Sequence, residues 1–301
     1  MEAHSFMKPP PFAYSAPRSL EETVEVLGRD EEAMVLAGGQ SLIPMLNMRL
    51  VAPAHLVDIN RVGELCHIIV GEGAVVVGAL ARHAEVEAHE GAARVLPLLR
   101  QALRLVAHPV IRNRGTTCGS IAHADPAGEM TAVVSLLAGT INAASASGTR
   151  EIAARDFFAG PMENTLRRGE LVTSVRFPQL PANTGTAFHE IARRHGDYAL
   201  AGVAAAVSVD DDLRVAAAKV AYISVSPTPL VVDLTDELAG QMQPAADWQA
   251  AARRAAARSE PEPDIHATAE YRRHLATVLT ARALAEAAQR AVAEATGGRQ
   301  G

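Results

Sequence analysis

Cysteine is scarce in this chain of 301 residues: only Cys66 and Cys118 occur. Two thiols exclude a disulfide framework and suit a reducing compartment. They also exclude an iron–sulfur cluster held by this chain alone, because such a cluster takes about four cysteine ligands. No segment approaches the roughly twenty apolar residues that would span a bilayer. The opening "MEAHSFMKPPPFAYSAP" lacks the basic start and apolar core of a secretory signal, so a cytoplasmic location is expected. Lysine and arginine number 28 against 34 acidic residues, a net charge of -6, and no basic run forms the patch that nucleic acid requires. Neither the G-x-G-x-x-G of a dinucleotide fold nor the G-K-[ST] of a P-loop is present. His123, Asp125 and Glu129 are residue types that bind metal, yet they follow no recognised ligand spacing, and no metal site is expected.

What remains has the composition of a soluble globular protein, 49% hydrophobic and 21% charged, long enough for two domains. Ser19, followed by Glu21 and Glu22, reads as the capped start of a helix. Ala33 to Ala37 reads as a buried strand, Leu42 to Leu50 as a helix and His55 to Ile59 as a strand. A hairpin is expected to turn at Gly71 to Gly73, one or two helices to follow between His83 and His108, and another helix near Met130 to Ala138. The stretch "RFPQLPANTGTA", Arg176 to Ala187, has the composition of a boundary, and a domain break is placed there. Strands near Ala201 to Val209 and Ala216 to Val225 suggest a meander. Thr268 to Ala295 is built of strong helix formers, with Tyr271, Leu275, Val278 and Leu279 on one core-facing side.

Two loops stand out. "VLAGGQSLIPMLNMRL", Val35 to Leu50, and "RNRGTTCGSIAHADPAGEM", Arg112 to Met130, each lead from an apolar segment into a helix and are unusually rich in small residues. Gly38 and Gly39 allow main chain to approach a ligand closely, and the amides that follow suit an anion. Ser41 adds a hydroxyl, and Arg112 and Arg114 could supply positive charge beside the second loop. An ordinary strand-to-helix turn explains either loop taken alone; two loops converging would grip both halves of a pyrophosphate, which points to a dinucleotide. Asp125 and Glu129 could accept hydrogen bonds from ribose hydroxyls, or simply be solvent-facing residues at a helix start.

With "RRHGDYALAGVAAAV", Arg193 to Val207, and "AEYRRHLATVLTARAL" near the end, these loops resemble, in order, motifs of the FAD-binding medium subunit of molybdenum hydroxylases, the group of carbon monoxide dehydrogenase and xanthine dehydrogenase. The resemblance implies an α+β fold: a vanillyl-alcohol-oxidase-like (PCMH-type) FAD-binding domain over residues 1–180, with subdomains of about 1–60 and 61–180, then a C-terminal domain of antiparallel sheet and helices over 184–296. It implies that Ala37, Gly38, Gly39, Gln40 and Ser41, with Thr116, Thr117, Cys118, Gly119 and Ser120, wrap the pyrophosphate. Glu129 is directed at the adenosine ribose, Ala107 and Leu171 lie near the cofactor, and Tyr198 is close to the flavin ring. Relatives often read T-I-G-G-S in the second loop; here Thr117 and Cys118 replace an apolar residue and a glycine, so the backbone at Cys118 must suit an ordinary residue. No catalytic acid, base or nucleophile is expected.

The implied role is electron transfer. A molybdenum-cofactor large subunit oxidises substrate, two [2Fe-2S] clusters in a small subunit relay electrons, and FAD on this chain passes them to a terminal acceptor, in a dimer of heterotrimers. The cysteine scarcity agrees with clusters supplied by another chain. The rival readings are a self-sufficient flavin oxidoreductase, for which the chain is short and lacks a clear flavin anchor, and a non-catalytic nucleotide-binding scaffold.

Overall fold

Ser19 accepts a hydrogen bond from the Glu22 amide at 3.1 Å and so caps helix α1 (Leu20–Arg29), whose Thr23, Val24 and Leu27 are buried. Beside it the chain forms a three-stranded parallel sheet in the order β1–β3–β2, from β1 (Ala13–Ser15), β2 (Ala33–Leu36) and β3 (His55–Asp58). Parallel pairing demands crossovers. Helix α1 makes the first, and α2 (Leu42–Asn47) the second, so the first glycine loop lies at the carboxyl end of β2. The structure, a computed structural model, describes residues 8–30, 32–242 and 246–297. The first seven residues, part of the N-terminal stretch read above, lie outside them.

An antiparallel five-stranded sheet follows, ordered β4–β5–β10–β6–β7: β4 (Ile68–Gly71), β5 (Ala74–Gly78), β6 (Thr140–Ser145), β7 (Gly148–Ala153) and β10 (Leu171–Pro178). The hairpin at Gly71 to Gly73 forms as expected. Between β5 and β6 the chain makes six short helices: α3 (His83–Ala88), α4 (Glu90–Val95), α5 (Pro97–Leu103), α6 (Pro109–Arg112), α7 (Thr117–His123) and α8 (Glu129–Leu136). Three of them fall before His108, where one or two were expected. The cause is local: His89 is extended and its ring accepts from the Ala92 amide at 3.0 Å, starting a new helix, and Pro97 starts another. A small two-stranded ribbon, β8 (Phe158–Gly160) with β9 (Glu163–Asn164), precedes β10.

The last sheet is an antiparallel meander: β11 (Thr184–Ala192), β12 (Ala199–Val209), β13 (Val215–Ile223) and β14 (Leu230–Asp233). Among the described residues three helices follow, α9 (Thr235–Leu238), α10 (Trp248–Ala256) and α11 (Ala269–Gly297). Strand β12 reads as a continuous run of small apolar residues because it is covered on both sides. Ala204 and Ala206 belong to the core that contains α8, while Ala201, Val203, Ala205 and Val207 pack in the core of α10 and α11. Against β11 the helix comes closer still: a Cβ at Gly185 would lie 2.0 Å from the Ala287 carbonyl oxygen, so helix backbone rests directly on strand backbone. Leu275 and Leu279 are buried as expected, but Tyr271 is 46% exposed. Its neighbour Arg272 goes inside instead, because it finds the Leu200 carbonyl and the Asp264 carboxylate, each at 2.7 Å.

Candidate functional site

The two glycine-rich loops are in contact. A Cβ built on Gly38 would lie 2.4 Å from the Arg114 carbonyl oxygen and 2.7 Å from the Gly115 Cα, so only glycine lets the first loop press against the second. Gly39 takes a φ of +73°, in the region that favours glycine. Gln40 stiffens this loop by donating to the Gly38 carbonyl at 3.2 Å. Ser41 begins α2 without a capping side-chain bond, and Ala37 is anchored from below: Asn60 donates to its carbonyl at 2.8 Å.

Asn60 in turn accepts from Arg82 at 2.6 Å, and the other end of that guanidinium donates to the Arg114 carbonyl at 2.8 Å. Arg82 and Asn60 therefore join the loops from behind. Sequence reasoning missed both; their signal, a lone polar residue beyond a strand and a lone arginine before a helix, is common on any surface. Arg112, by contrast, is engaged elsewhere: it pairs with Glu87 at 2.9 Å and donates to the Val106 carbonyl at 3.0 Å, bracing the turn before α6. Arg114 contributes its carbonyl, and its side chain is exposed.

In the second loop Thr116 caps α7, its hydroxyl accepting from the Gly119 amide at 3.1 Å. Thr117 and Cys118 turn inward and are buried. Thr117 shares a hydrogen bond with His83 at 3.2 Å, and the Cys118 thiol donates to the Val77 carbonyl at 3.2 Å. Burial pushes that thiol up to about 12, so it stays protonated and is no nucleophile. His83 is held neutral, burial and Arg112 lowering it to about 4. Cys118 sits within helical backbone and not at positive φ, which is why a side chain is tolerated there. These two residues offer a ligand main chain only. Gly119 and Ser120 are half-buried beside them.

The remaining candidates gather around the start of α8. The Ser120 hydroxyl lies 3.8 Å from a Cβ built on Gly128, the residue before Glu129. Burial raises the Glu129 carboxyl to about 7, and Asp125 adds to the rise. Tyr198 is 71% exposed, its phenol held above the ordinary range by the surrounding chain and by Asp125 and Glu129. Ala107 carries a φ of +43°, unusual for a residue with a side chain. His108 follows it and stacks on His195 with centroids 5.8 Å apart, while Gly196 fits against the His108 ring. The segment leading to Tyr198 is thereby tied to the one leading out of Ala107. Leu171 opens β10 with its side chain in the core, so it too can present only main chain to a ligand.

Two family models account for most of the chain: an FAD binding domain in molybdopterin dehydrogenase matches residues 10–180, and a CO dehydrogenase flavoprotein C-terminal domain matches residues 186–287. The chain belongs to the FAD-binding medium subunits of molybdenum hydroxylases. Within this medium-subunit family it is 37% identical to the 6-hydroxypseudooxynicotine dehydrogenase complex subunit alpha of Paenarthrobacter nicotinovorans, over 95% of this chain and 97% of that one. It is 35% identical to the carbon monoxide dehydrogenase medium chain of Hydrogenophaga pseudoflava, over 92% of this chain and 97% of the relative. Among solved structures, quinoline 2-oxidoreductase from Pseudomonas putida 86 superposes with a TM-score of 0.90 at 40% identity, covering 95% of this chain and 99% of that one. The fold is the family's: α+β, with a PCMH-type FAD-binding part and a C-terminal part of antiparallel sheet and helices. Among the described residues no helix is long and apolar enough to cross a membrane.

A third residue, beside Glu129, also escaped the sequence reading. Glu190 on β11 is half-buried, its Oε2 is shielded from water without a hydrogen-bond partner, and burial together with Glu129 raises its carboxyl to about 8. Its signal was period two: Glu190 shares a strand face with Phe188, which is buried.

Proposed function

We propose that this chain is the FAD-carrying, electron-transferring subunit of a heteromeric molybdenum hydroxylase, taking electrons from [2Fe-2S] clusters of a small partner and passing them to a terminal acceptor. A large partner with the molybdenum cofactor would oxidise the substrate, the whole forming a dimer of heterotrimers in the cytoplasm. FAD, when bound, supplies the redox chemistry; the protein binds it and orients it.

The observation that carries this reading is the contact of Gly38 with Arg114 and Gly115. It merges two stretches of main chain into one surface that any Cβ at Gly38 would force apart. Ala37 to Ser41 on one side and Thr116 to Ser120 on the other would hold the pyrophosphate, with Thr117 and Cys118 contributing main chain alone. Glu129 would accept from the adenosine ribose, and Ala107, Leu171 and Tyr198 would flank the ring. An exposed tyrosine, three residues beyond the His108–His195 stack that ties down its segment, suits contact with a planar ligand. Dividing the chain into 1–180 (about 1–60 and 61–180) and 184–296 accords with the three larger sheets and with the irregular stretch between β10 and β11.

The partner assignment draws support from composition, since two cysteines cannot hold the clusters such a chain must exchange electrons with. It is also in keeping with relatives named as subunits and medium chains of larger dehydrogenases. Isolation of the tagged chain from its native cells tests both halves. FAD should be released on denaturation, and one larger, molybdenum-containing chain and one smaller, iron-containing chain should co-purify. A colourless chain that purifies alone would refute the reading.

A further inference from the structure

Two exposed histidines from opposite halves of the chain are stacked on one another. His108 lies between α5 and α6 of the FAD-binding part, and His195 between β11 and β12 of the C-terminal part. Their centroids are 5.8 Å apart and their planes 23° from parallel. Each ring stands on a fixed base. Arg112 donates to the Val106 and Ala107 carbonyls at 3.0 and 3.4 Å, and so holds the left-handed turn at Ala107 from which His108 follows. On the other side, the Asp197 amide donates to the Arg194 carbonyl at 3.1 Å and the Arg194 guanidinium meets the Asp197 carboxylate at 3.2 Å, closing a turn around His195 and Gly196. Gly196 has a φ of +85°, and a Cβ there would come within 2.5 to 2.9 Å of three atoms of the His108 ring. Only glycine lets this turn close on that ring. Tyr198 follows the turn and is exposed, whereas Ala199 and Leu200, which begin β12, are buried. The last side chain before the strand enters the core is thus a large aromatic left outside, at a place fixed by contact with the other half.

We propose that the His108–His195 stack is a clasp across the two halves of the chain that positions Tyr198 against the flavin, both histidines acting as positioning residues. This rests on the FAD reading above, which puts Ala107 and Tyr198 beside the ring, and adds to it the device that keeps these two segments at a fixed separation. A tyrosine on a free loop tip would have to give up the freedom of the loop as well as its own rotamers on stacking against a ligand. The clasp removes the loop's share before any ligand arrives. Backbone strain is concentrated at the same point: a left-handed alanine at 107 and a left-handed glycine at 196 stand on the two sides of the stacked rings. The rings meet as flat faces, so a phenyl group at position 195 should serve as the imidazole does, and a methyl group should not.

The test compares His195→Ala, His195→Phe, His108→Ala and Tyr198→Leu with the wild type, each as the full chain. Without FAD, brief trypsin digestion mapped by mass reads the turn at exposed Arg193 and Arg194. Cleavage there tracks how often the turn opens, so loss of a stacked pair should speed it about two- to ten-fold in both alanine variants, with His195→Phe near the wild type. With FAD bound and the excess removed, flavin emission reads Tyr198, because a phenol stacked on the ring quenches it. Tyr198→Leu should brighten the bound flavin, both alanine variants should brighten it at least about half as much, and His195→Phe should stay as dim as the wild type. Faster cleavage with unchanged emission would reduce the stack to a strut and overturn the proposal. Alanine variants that follow the wild type in both measurements, or a phenylalanine variant no better than alanine, would overturn it too. Should His108→Ala fail to fold, the variants of exposed His195 decide alone. Unchanged emission in Tyr198→Leu would instead remove Tyr198 from the ring, and a wild type that takes up no FAD would sink the reading on which all of this rests.

Discussion

Gly38 shows how much of the site depends on an atom that is not there. A single methyl at this position meets main chain at 2.4 Å, and neither Arg114 nor Gly115 can yield without parting the loops. Gly38→Val should cut the FAD content of the purified chain at least about ten-fold while leaving the far sheets folded, read as flavin released per chain beside a circular dichroism spectrum. Arg82→Met removes the bonds at 2.8 and 2.6 Å that join the loops; a loss of roughly 1–3 kcal/mol in thermal stability is expected, with weaker FAD binding. The thiols divide sharply. Exposed Cys66 should react with an alkylating reagent and buried Cys118 should not, giving a single mass increment on the folded chain and two after denaturation. At this scale the sequence was a good guide to the loops, because glycine and small hydroxyl residues are few-purpose choices. It was a poor guide to Arg82, Asn60 and Glu190, whose roles come from what stands opposite them in space.

Among the elements, legibility followed local chemistry. The cap of α1, the turn at Gly71 to Gly73 and the long α11 each carry their cause within a few residues. Strands β10 and β11 do not. The five-stranded sheet inserts β10 between β5 and β6 by pairings 27 or more residues distant in sequence, and Thr184–Ala192 mixes Thr, Gly, His and Glu because one face meets α11 and the other meets α5 and the core of Phe188. Tyr271 was misjudged for a related reason: apolar spacing cannot foresee that its neighbour Arg272 will find a carbonyl and a carboxylate inside. The close packing of α11 on β11 predicts a severe effect at Gly185. Gly185→Val places a branched side chain onto helix backbone and should lower the melting temperature by several degrees or abolish soluble expression, although the residue lies outside both glycine loops.

For the molecule as a whole, the acid pair gives stability a definite pH slope. Glu129 and Glu190 titrate at about 7 and about 8 in the folded chain, above their ordinary value of 4.5, so the folded state binds more protons than the unfolded one between these limits. The stability they contribute is complete below about pH 4.5 and is lost as the pH rises toward 8. In denaturant melts without FAD, the wild type should weaken over that interval, and Glu190→Gln should flatten the slope. A flat wild-type profile would show that neither carboxyl is perturbed. The wider architecture was readable because separated motifs kept their order, and the meander and the final helix were visible as composition.

Strand β12 has a consequence for how this protein tolerates change. Clamped between α8 and α11, its alanines have no spare volume on either side, so almost any enlargement is as harmful there as in the glycine loops. A saturation screen scored by survival alone would paint that strand and the glycine loops the same colour. Only a screen that scores flavin retention separately from folding would tell the scaffold from the socket.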